Sequence, residues 1–388
     1  MRILITGTTY PPCFNGQSIF TGHLAEGMAK KGHHVRALFP SHLIKPFLTN
    51  VSGVECQGIR AFDVGFHVDV YYSLFPQTAI HSAFSDFKPD IVHIHDHFPL
   101  SAMIANEARK KGLKVVGTNH FLPENWAPYF PWSILPPRFS EKVLWAWVRS
   151  IYDRLDMVTS PSKTAAGIIK SIGLKAPVTP ISCGVDLNTF NTHYREQRQQ
   201  IRQMYGLPLD KPVMAFVGRL DGEKKLDVIL KAIQLSGCDQ LHILVVGKGA
   251  AQEEIKKLVA DLGLTGRAHF PGFIASEDLP KALNAVDIFT MPSEAELLSI
   301  ATLEAMGCGL PVLAANSRAL PELVDQEVNG YLFTPSDPQD AASYIRKFIQ
   351  SPARWPEMGE ASLKKVQPHS IENTYNQYEK IYLDLLAK

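Results

Sequence analysis

The feature that most narrows the fold of this chain is one pattern that occurs twice. Short apolar runs alternate with amphipathic segments through the first half, and the alternation restarts at Val213. Arg2 to Ile5, His34 to Phe39, Asp90 to His95, Leu113 to Gly117, Met157 to Ser160 and Pro177 to Ser182 read as strands, with a helix over Ser18 to Lys31. Val213 to Gly218, Leu241 to Val246, Ala268 to Phe270, Asp287 to Met291 and Pro311 to Ala315 repeat the theme, with a helix over Leu226 to Leu235. Such alternation builds βαβ units on parallel sheets. The expected fold is therefore α/β, with two Rossmann-like doubly wound domains facing each other across a cleft. Residues 1–190 form the first and 191–370 the second, joined in the Gln- and Arg-rich stretch Asn191 to Gly206, which could equally hold a surface helix. Tyr375, Tyr378, Ile381, Tyr382 and Leu385 recur at helical spacing in the last segment, which must pack onto something.

A chain of 388 residues can bury two such cores. With 39 basic against 38 acidic residues, nothing pulls it toward nucleic acid. Five scattered cysteines without a Cys-x-x-Cys pair suit neither a disulfide framework nor a zinc knuckle, and fit a reduced, cytoplasmic setting. Met1 to Gly7 reads as a buried strand rather than a signal peptide. No apolar run approaches the ~20 residues needed to span a bilayer, so membrane contact would be peripheral, at the cytoplasmic face.

Ligands in open α/β sheets bind beyond the carboxyl ends of the strands, so the residues there carry the chemistry. Gly16, just before the first helix, can let backbone N–H groups approach a phosphate, or be an ordinary loop residue. His93, His95 and His97 alternate along one strand end and read as packing and hydrogen-bonding residues rather than as metal ligands. Arg219 and Lys224 stand five positions apart at a strand end, where a planar fork and a flexible ammonium can hold a diphosphate. Gly247-Lys248-Gly249 is a weak turn signal by itself. Ser293 can cap a helix, and a helix N-terminus near Leu298, Ser299 and Ile300 favours anionic oxygens. Glu296 and Glu304, eight residues apart, suit two ends of an extended ligand or two solvated helix positions.

Glu296-x7-Glu304 followed by Ala305-Met306-x-x-Gly309-Leu310-Pro311-Val312, with Gly218-Arg219-Leu220 and Lys224, resembles the donor-site signature of family 4 retaining glycosyltransferases, which have the GT-B fold. The resemblance implies a hexosyltransferase acting on a UDP- or GDP-sugar. Arg219 and Lys224 would hold the diphosphate, and Glu304 the ribose hydroxyls. Glu296 and His120 would meet the sugar. The N–H groups of Leu298, Ser299 and Ile300 would reach phosphate and sugar, and Gly272 and Phe273 would line the base pocket. The last helix would cross back to the first domain. The nucleotide sugar is a substrate, and neither a cofactor nor a metal is expected. Asn15, Cys183, Lys225 and Ser299 stand where the family usually has Gly, Asn, Gly and Gly. Gly184-Val185-Asp186 and Leu320-Pro321-Glu322 match structural turns of the family.

Four of the five tryptophans, Trp126, Trp132, Trp145 and Trp147, lie among aromatic and basic residues between Glu124 and Asp156. Such a mixture suits a membrane interface, a greasy acceptor wall or a buried insert. With the resemblance to glycolipid-forming family members, it points to a membrane lipid such as diacylglycerol or a glycolipid as acceptor. Rival readings are transfer to a soluble sugar, a GT-B sugar-nucleotide 2-epimerase and a silent nucleotide-sugar-binding protein.

Overall fold

A computed structural model describes residues 1–13, 15–63, 71–73, 75–121 and 137–388. The chain divides into two compact units, Met1–Cys183 with Thr374–Lys388, and Gly184–Asn373.

The first unit runs β1 (Arg2–Thr6), α1 (Gly16–Lys30), β2 (His34–Pro40), β3 (Phe47–Val51), β4 (Val54–Ile59), β5 (Phe62–Asp63), β6 (Tyr71–Tyr72), α2 (Gln77–Ser85), β7 (Ile91–Ile94), α3 (Pro99–Lys110), β8 (Lys114–Thr118), α4 (Pro137–Tyr152), β9 (Met157–Ser160), α5 (Lys163–Ser171) and β10 (Val178–Pro180). Its main sheet has the order β10-β9-β8-β7-β1-β2-β4-β3, and β5 pairs with β6 separately. Central strands covered on both faces need unbroken apolar runs, and Ile3, Leu4, Ile5, Ile91, Val92 and Ile94 are wholly buried. The edge strand β3 was not expected from the sequence. It pairs antiparallel with β4 through a two-residue turn at Ser52 and Gly53, both at positive φ. Its largely exposed side chains give no buried-face periodicity to read.

The second unit runs α6 (Arg198–Met204), β11 (Val213–Val217), α7 (Leu226–Ser236), β12 (His242–Val246), α8 (Gln252–Asp261), β13 (Ala268–Gly272), α9 (Leu279–Asn284), β14 (Ile288–Met291), α10 (Ile300–Gly307), β15 (Val312–Ala315), α11 (Leu320–Leu323), β16 (Gly330–Phe333), α12 (Pro338–Gln350) and α13 (Trp355–Val366). The sheet order is β13-β12-β11-β14-β15-β16, parallel throughout.

The polar stretch Asn191 to Gly206 lies wholly inside this unit, which begins at Gly184. It contains α6, and Arg202 on that helix is only 2% exposed. The guanidinium donates to the carbonyls of Ala285 at 2.8 Å, Pro208 at 2.8 Å and Lys211 at 2.9 Å, and to Asp287 Oδ2 at 2.7 Å. Asp287 Oδ2 also accepts the Val213 N–H at 2.8 Å, so one satisfied buried ion pair ties α6 to the starts of β11 and β14.

The closing helix α14 (Ile371–Leu386) belongs to the first unit from Thr374 onward. Tyr378 and Tyr382 on it are wholly buried, and Glu379 pairs with His33 at 2.8 Å. Of the aromatic segment, Trp126, Tyr129, Phe130, Trp132, Ile134 and Leu135 lie outside the described residues. On α4, Trp145 packs partly buried against the core, whereas Trp147 is 46% and Val143 41% exposed. Among the described residues, no helix is long and apolar enough to cross a membrane.

Candidate active site

In the second unit the loops after β11, β12 and β13 are bonded edge to edge. The Gly218 N–H donates to the Val246 carbonyl at 3.0 Å, Leu220 N–H to Lys248 at 3.0 Å, and Gly247 N–H to Gly272 at 2.8 Å. Gly247 sits at φ 136, and a Cβ there would collide with the Gly218 carbonyl oxygen. Gly247-Lys248-Gly249, weak as a sequence signal, is thus required for loop packing. Phe273 follows β13 and is 53% exposed.

Arg219 and Lys224 rise from this platform. Lys224 Nζ donates to Glu296 Oε1 at 2.6 Å, and both side chains are mostly buried. Burial works against the lysine charge, but Glu296 and then Glu223 outweigh it, so the ammonium is held above its ordinary value. Arg219 is more exposed; its Nη2 donates to Glu223 Oε1 at 2.9 Å, and its Nη1 lies 3.0 Å from Asp221 Oδ2. Lys225, immediately before α7, sits in the left-handed region at φ 53, ψ 32. That conformation is the physical reason for the family's glycine at this position.

The helix cap differs from the sequence expectation. Ser299, not Ser293, caps α10, its Oγ accepting from Thr302 N–H at 3.3 Å and Thr302 Oγ1 at 2.8 Å. Ser293 instead donates to the Glu223 carbonyl at 3.4 Å. The helix therefore starts later, because a cap must accept from an N–H two or three residues on, and Ser293 lies too far back. Glu296 consequently stands on the loop and Glu304 on the helix. The backbone N–H groups of Leu298, Ser299 and Ile300 make no hydrogen bond with any described residue, although Leu298 and Ser299 are buried. Buried donors at a helix start, unpaired, are an anion site in waiting.

Glu304 completes the group. Its carboxylate is partly buried and has no hydrogen-bond or ion-pair partner among the described residues. Burial pushes its carboxyl up to about 8. An acidic side chain kept in that state is suited to a ligand bearing hydroxyl donors.

The first unit gathers a different set. His93 is wholly buried, with Nδ1 2.7 Å from Tyr382 Oη and Nε2 2.7 Å from Thr118 Oγ1. His95 Nδ1 lies 3.4 Å from His120 Nε2, and the two rings stack. Burial lowers the His120 imidazole to about 4, so it is neutral at ordinary pH. Among the described residues, no three His, Cys, Asp or Glu side chains are grouped so as to hold a metal ion. Asp96, which sequence reasoning passed over, is 3% exposed and is a hub of four bonds. It accepts from Thr8 N–H, Gln17 Nε2 at 2.9 Å, Phe98 N–H at 3.0 Å and Ser101 Oγ at 2.6 Å. Its signal was a lone acidic residue set among histidines at the end of an apolar strand. Gly16 opens α1 behind the cap Asn15, whose Oδ1 accepts from Ser18 N–H at 2.9 Å. A Cβ on Gly16 would meet nothing within 4 Å, so local packing does not demand glycine there.

The chain matches the family described as "Glycosyltransferase Family 4" over residues 14–189 and that described as "Glycosyl transferases group 1" over residues 197–365. It is 29% identical to a sulfoquinovosyl transferase of Arabidopsis thaliana, over 82% of this chain and 61% of the relative's length. It is 22% identical to a GDP-mannose-dependent alpha-mannosyltransferase of Corynebacterium glutamicum, over 100% of this chain and 90% of that one. An alpha-monoglucosyldiacylglycerol synthase of Streptococcus pneumoniae is 24% identical over 77% of this chain and 67% of its own. Among solved structures, the sucrose-phosphate synthase of Thermosynechococcus elongatus superposes with a TM-score of 0.82 at 22% identity, covering 100% and 99% of the two chains. Anabaena HepE in complex with UDP-glucose gives 0.79 at 18%, covering 99% and 100%. Two largely parallel sheets of this kind, matched end to end by such structures, are the GT-B fold. With the two matched regions together taking in most of its length, the chain belongs to glycosyltransferase family 4 and is a hexosyltransferase.

Proposed function

We propose that the protein is a retaining hexosyltransferase that moves a sugar from UDP- or GDP-sugar to a hydroxyl of a membrane lipid. One observation carries the donor half: the free N–H groups of Leu298, Ser299 and Ile300 and the unpaired Glu304 carboxylate occur in the same unit as the paired cations Arg219 and Lys224. The cations and the N–H groups take the diphosphate, Glu304 the ribose hydroxyls, and Gly272 and Phe273 the base. Glu296 and His120 hold sugar hydroxyls, and Gly16 leaves room beside the phosphate. The acceptor oxygen bonds to the anomeric carbon on the face from which the phosphate oxygen departs, and that phosphate takes the acceptor proton. Positive charge fixed where negative charge develops lowers the barrier without reorganisation.

Support for a lipid acceptor comes from the name of the Streptococcus pneumoniae relative and from α4, where exposed Val143 and Trp147 are flanked by exposed Lys142 and Arg149. Because Trp145 packs on the core, Val143 and Trp147 are the positions to change. Val143→Ser with Trp147→Ser should lower flotation with anionic vesicles; unchanged flotation would remove the membrane half. The direct test is mass-spectrometric detection of transfer from pooled UDP- and GDP-sugars to a lipid extract or a soluble-sugar pool. A lipid product is expected. Transfer to soluble sugars alone would overturn the lipid acceptor, and turnover of donor to its epimer would overturn the transferase reading.

A further inference from the structure

The proposed diphosphate site is already full of counter-ions. Two cations, Arg219 and Lys224, face three carboxylates, Asp221, Glu223 and Glu296, each within 4 Å of one of them. The cluster therefore carries one excess negative charge, in a place proposed to receive a more negative ligand. One carboxylate has to yield when a diphosphate arrives, since like charges held together at short range cost several kcal/mol.

Geometry singles out which one. Glu296 is 9% exposed, and its 2.6 Å bond to Lys224 is the shortest in the cluster. Moving it would strand a buried charge. Asp221 Oδ2 lies 3.0 Å from Arg219 but accepts no hydrogen bond, so it presents charge without holding the guanidinium in place. Glu223 alone reaches both cations with one oxygen, Oε1 being 2.9 Å from Arg219 Nη2 and 3.9 Å from Lys224 Nζ. It sits in the short 3-10 turn Gly222–Lys224, its backbone carbonyl accepting from Ser293 while its side chain is a quarter exposed. Its carboxylate can swing into water at little cost while its backbone stays fixed.

We propose that Glu223 is a resident counter-ion that takes the place of the diphosphate when none is bound and competes with it for Arg219 and Lys224. In doing so it keeps the two cations oriented between turnovers and speeds release of the nucleoside diphosphate. This rests on the donor reading above. Glu223 is a positioning residue; it touches the cations, not the reacting atoms.

The test is calorimetric titration of the full chain with UDP and with GDP, comparing the parent, Glu223→Gln and Glu223→Asp. Glu223→Gln keeps the shape and an acceptor oxygen but loses the charge, so the better-bound nucleoside diphosphate should bind roughly three- to tenfold tighter, the range set by a partly exposed ion pair. In steady state the same variant should show a lower donor KM with unchanged or lower kcat. Glu223→Asp keeps the charge and should bind like the parent. A residue needed only for structure would lose affinity when replaced, so a gain cannot come from damage. Equal or weaker binding by Glu223→Gln overturns the competition while leaving the donor reading intact. A parent that binds neither UDP nor GDP overturns both.

Discussion

The two units bury polar groups in opposite ways. Around the ends of β7 and β8 the first unit collects largely neutral groups: imidazoles lowered by burial, two tyrosine hydroxyls, and threonines bonded to them. Among the described residues there, the carboxylate of Asp96 is spent on four bonds within its own unit. The second unit collects ions, three carboxylates around two cations, beside free backbone donors and an unpaired glutamate. Of the first unit's groups, His120 is partly exposed, and its neutral imidazole fits an uncharged sugar hydroxyl. A charged and unsatisfied surface fits a diphosphate. The division of labour proposed for the enzyme is thus already present in the chemistry of each unit taken alone.

The largest effect should come from the charged side. Lys224→Ala removes a diphosphate cation and leaves Glu296 buried and uncompensated, so kcat/KM for the donor should fall about a thousandfold. Thermal unfolding of the same variant should report a loss of about 3 kcal/mol. A tenfold loss or less in steady-state assays would mean that the ions of the second unit are not the diphosphate site.

Glu304→Gln should lower kcat/KM about tenfold or more, since hydroxyls donating to the bound carboxyl favour its ionised form, and the amide cannot supply that pair of acceptor oxygens. The same change should stabilise the free protein. A carboxyl raised to about 8 keeps a proton that the unfolded chain, near 4.5, has lost, so stability falls as pH rises between those values. At pH 8 the variant should melt about 5 °C above the parent, the gap closing as the pH drops through 4.5. Weaker turnover with higher stability separates a binding role from a structural one.

His120→Asn sharpens the contrast from the other side. It should cost about tenfold in kcat/KM while UDP or GDP affinity stays at the parent's level, because hydroxyl binding is the only role given to that imidazole. Since the ring is already neutral above about pH 4, no limb of the parent's rate profile between pH 5 and 8 should vanish with it. The smallest effect is Lys225→Gly. Relief of a left-handed lysine is worth about 1–2 kcal/mol, against about 0.5–1 kcal/mol lost to backbone freedom. A net gain of about 0.5 kcal/mol in denaturant unfolding is expected, with activity unchanged.

Legibility in the sequence followed the same division. The buried parallel strands were readable because unbroken runs such as Leu241 to Val246 have no other use in a chain of this kind. The exposed edge strand β3 was not, since it shows no buried face, and although the Gln- and Arg-rich run admitted a surface helix, nothing in it signalled that Arg202 on α6 would be buried. Arg219, Lys224, Glu296 and Glu304 stood out once their spacing was joined to the family resemblance, since spacing alone equally fits solvated residues. Whether the two cations were free or already paired could not be read, because Glu296 lies 72 positions from Lys224 and only the fold brings them to 2.6 Å. The cap at Ser299 was misplaced to Ser293 because both serines precede the apolar periodicity of α10, and only the observed bond to Thr302 decides between them.

The central claim, that the start of α10 and the cations of the second unit receive the diphosphate, is tested most directly by hydrogen exchange with and without saturating UDP or GDP. The account expects slowed exchange at Leu298, Ser299 and Ile300, whose N–H groups are otherwise unpaired, and over Gly218 to Lys225. Binding without protection at those amides, or protection confined to the first unit, would contradict it.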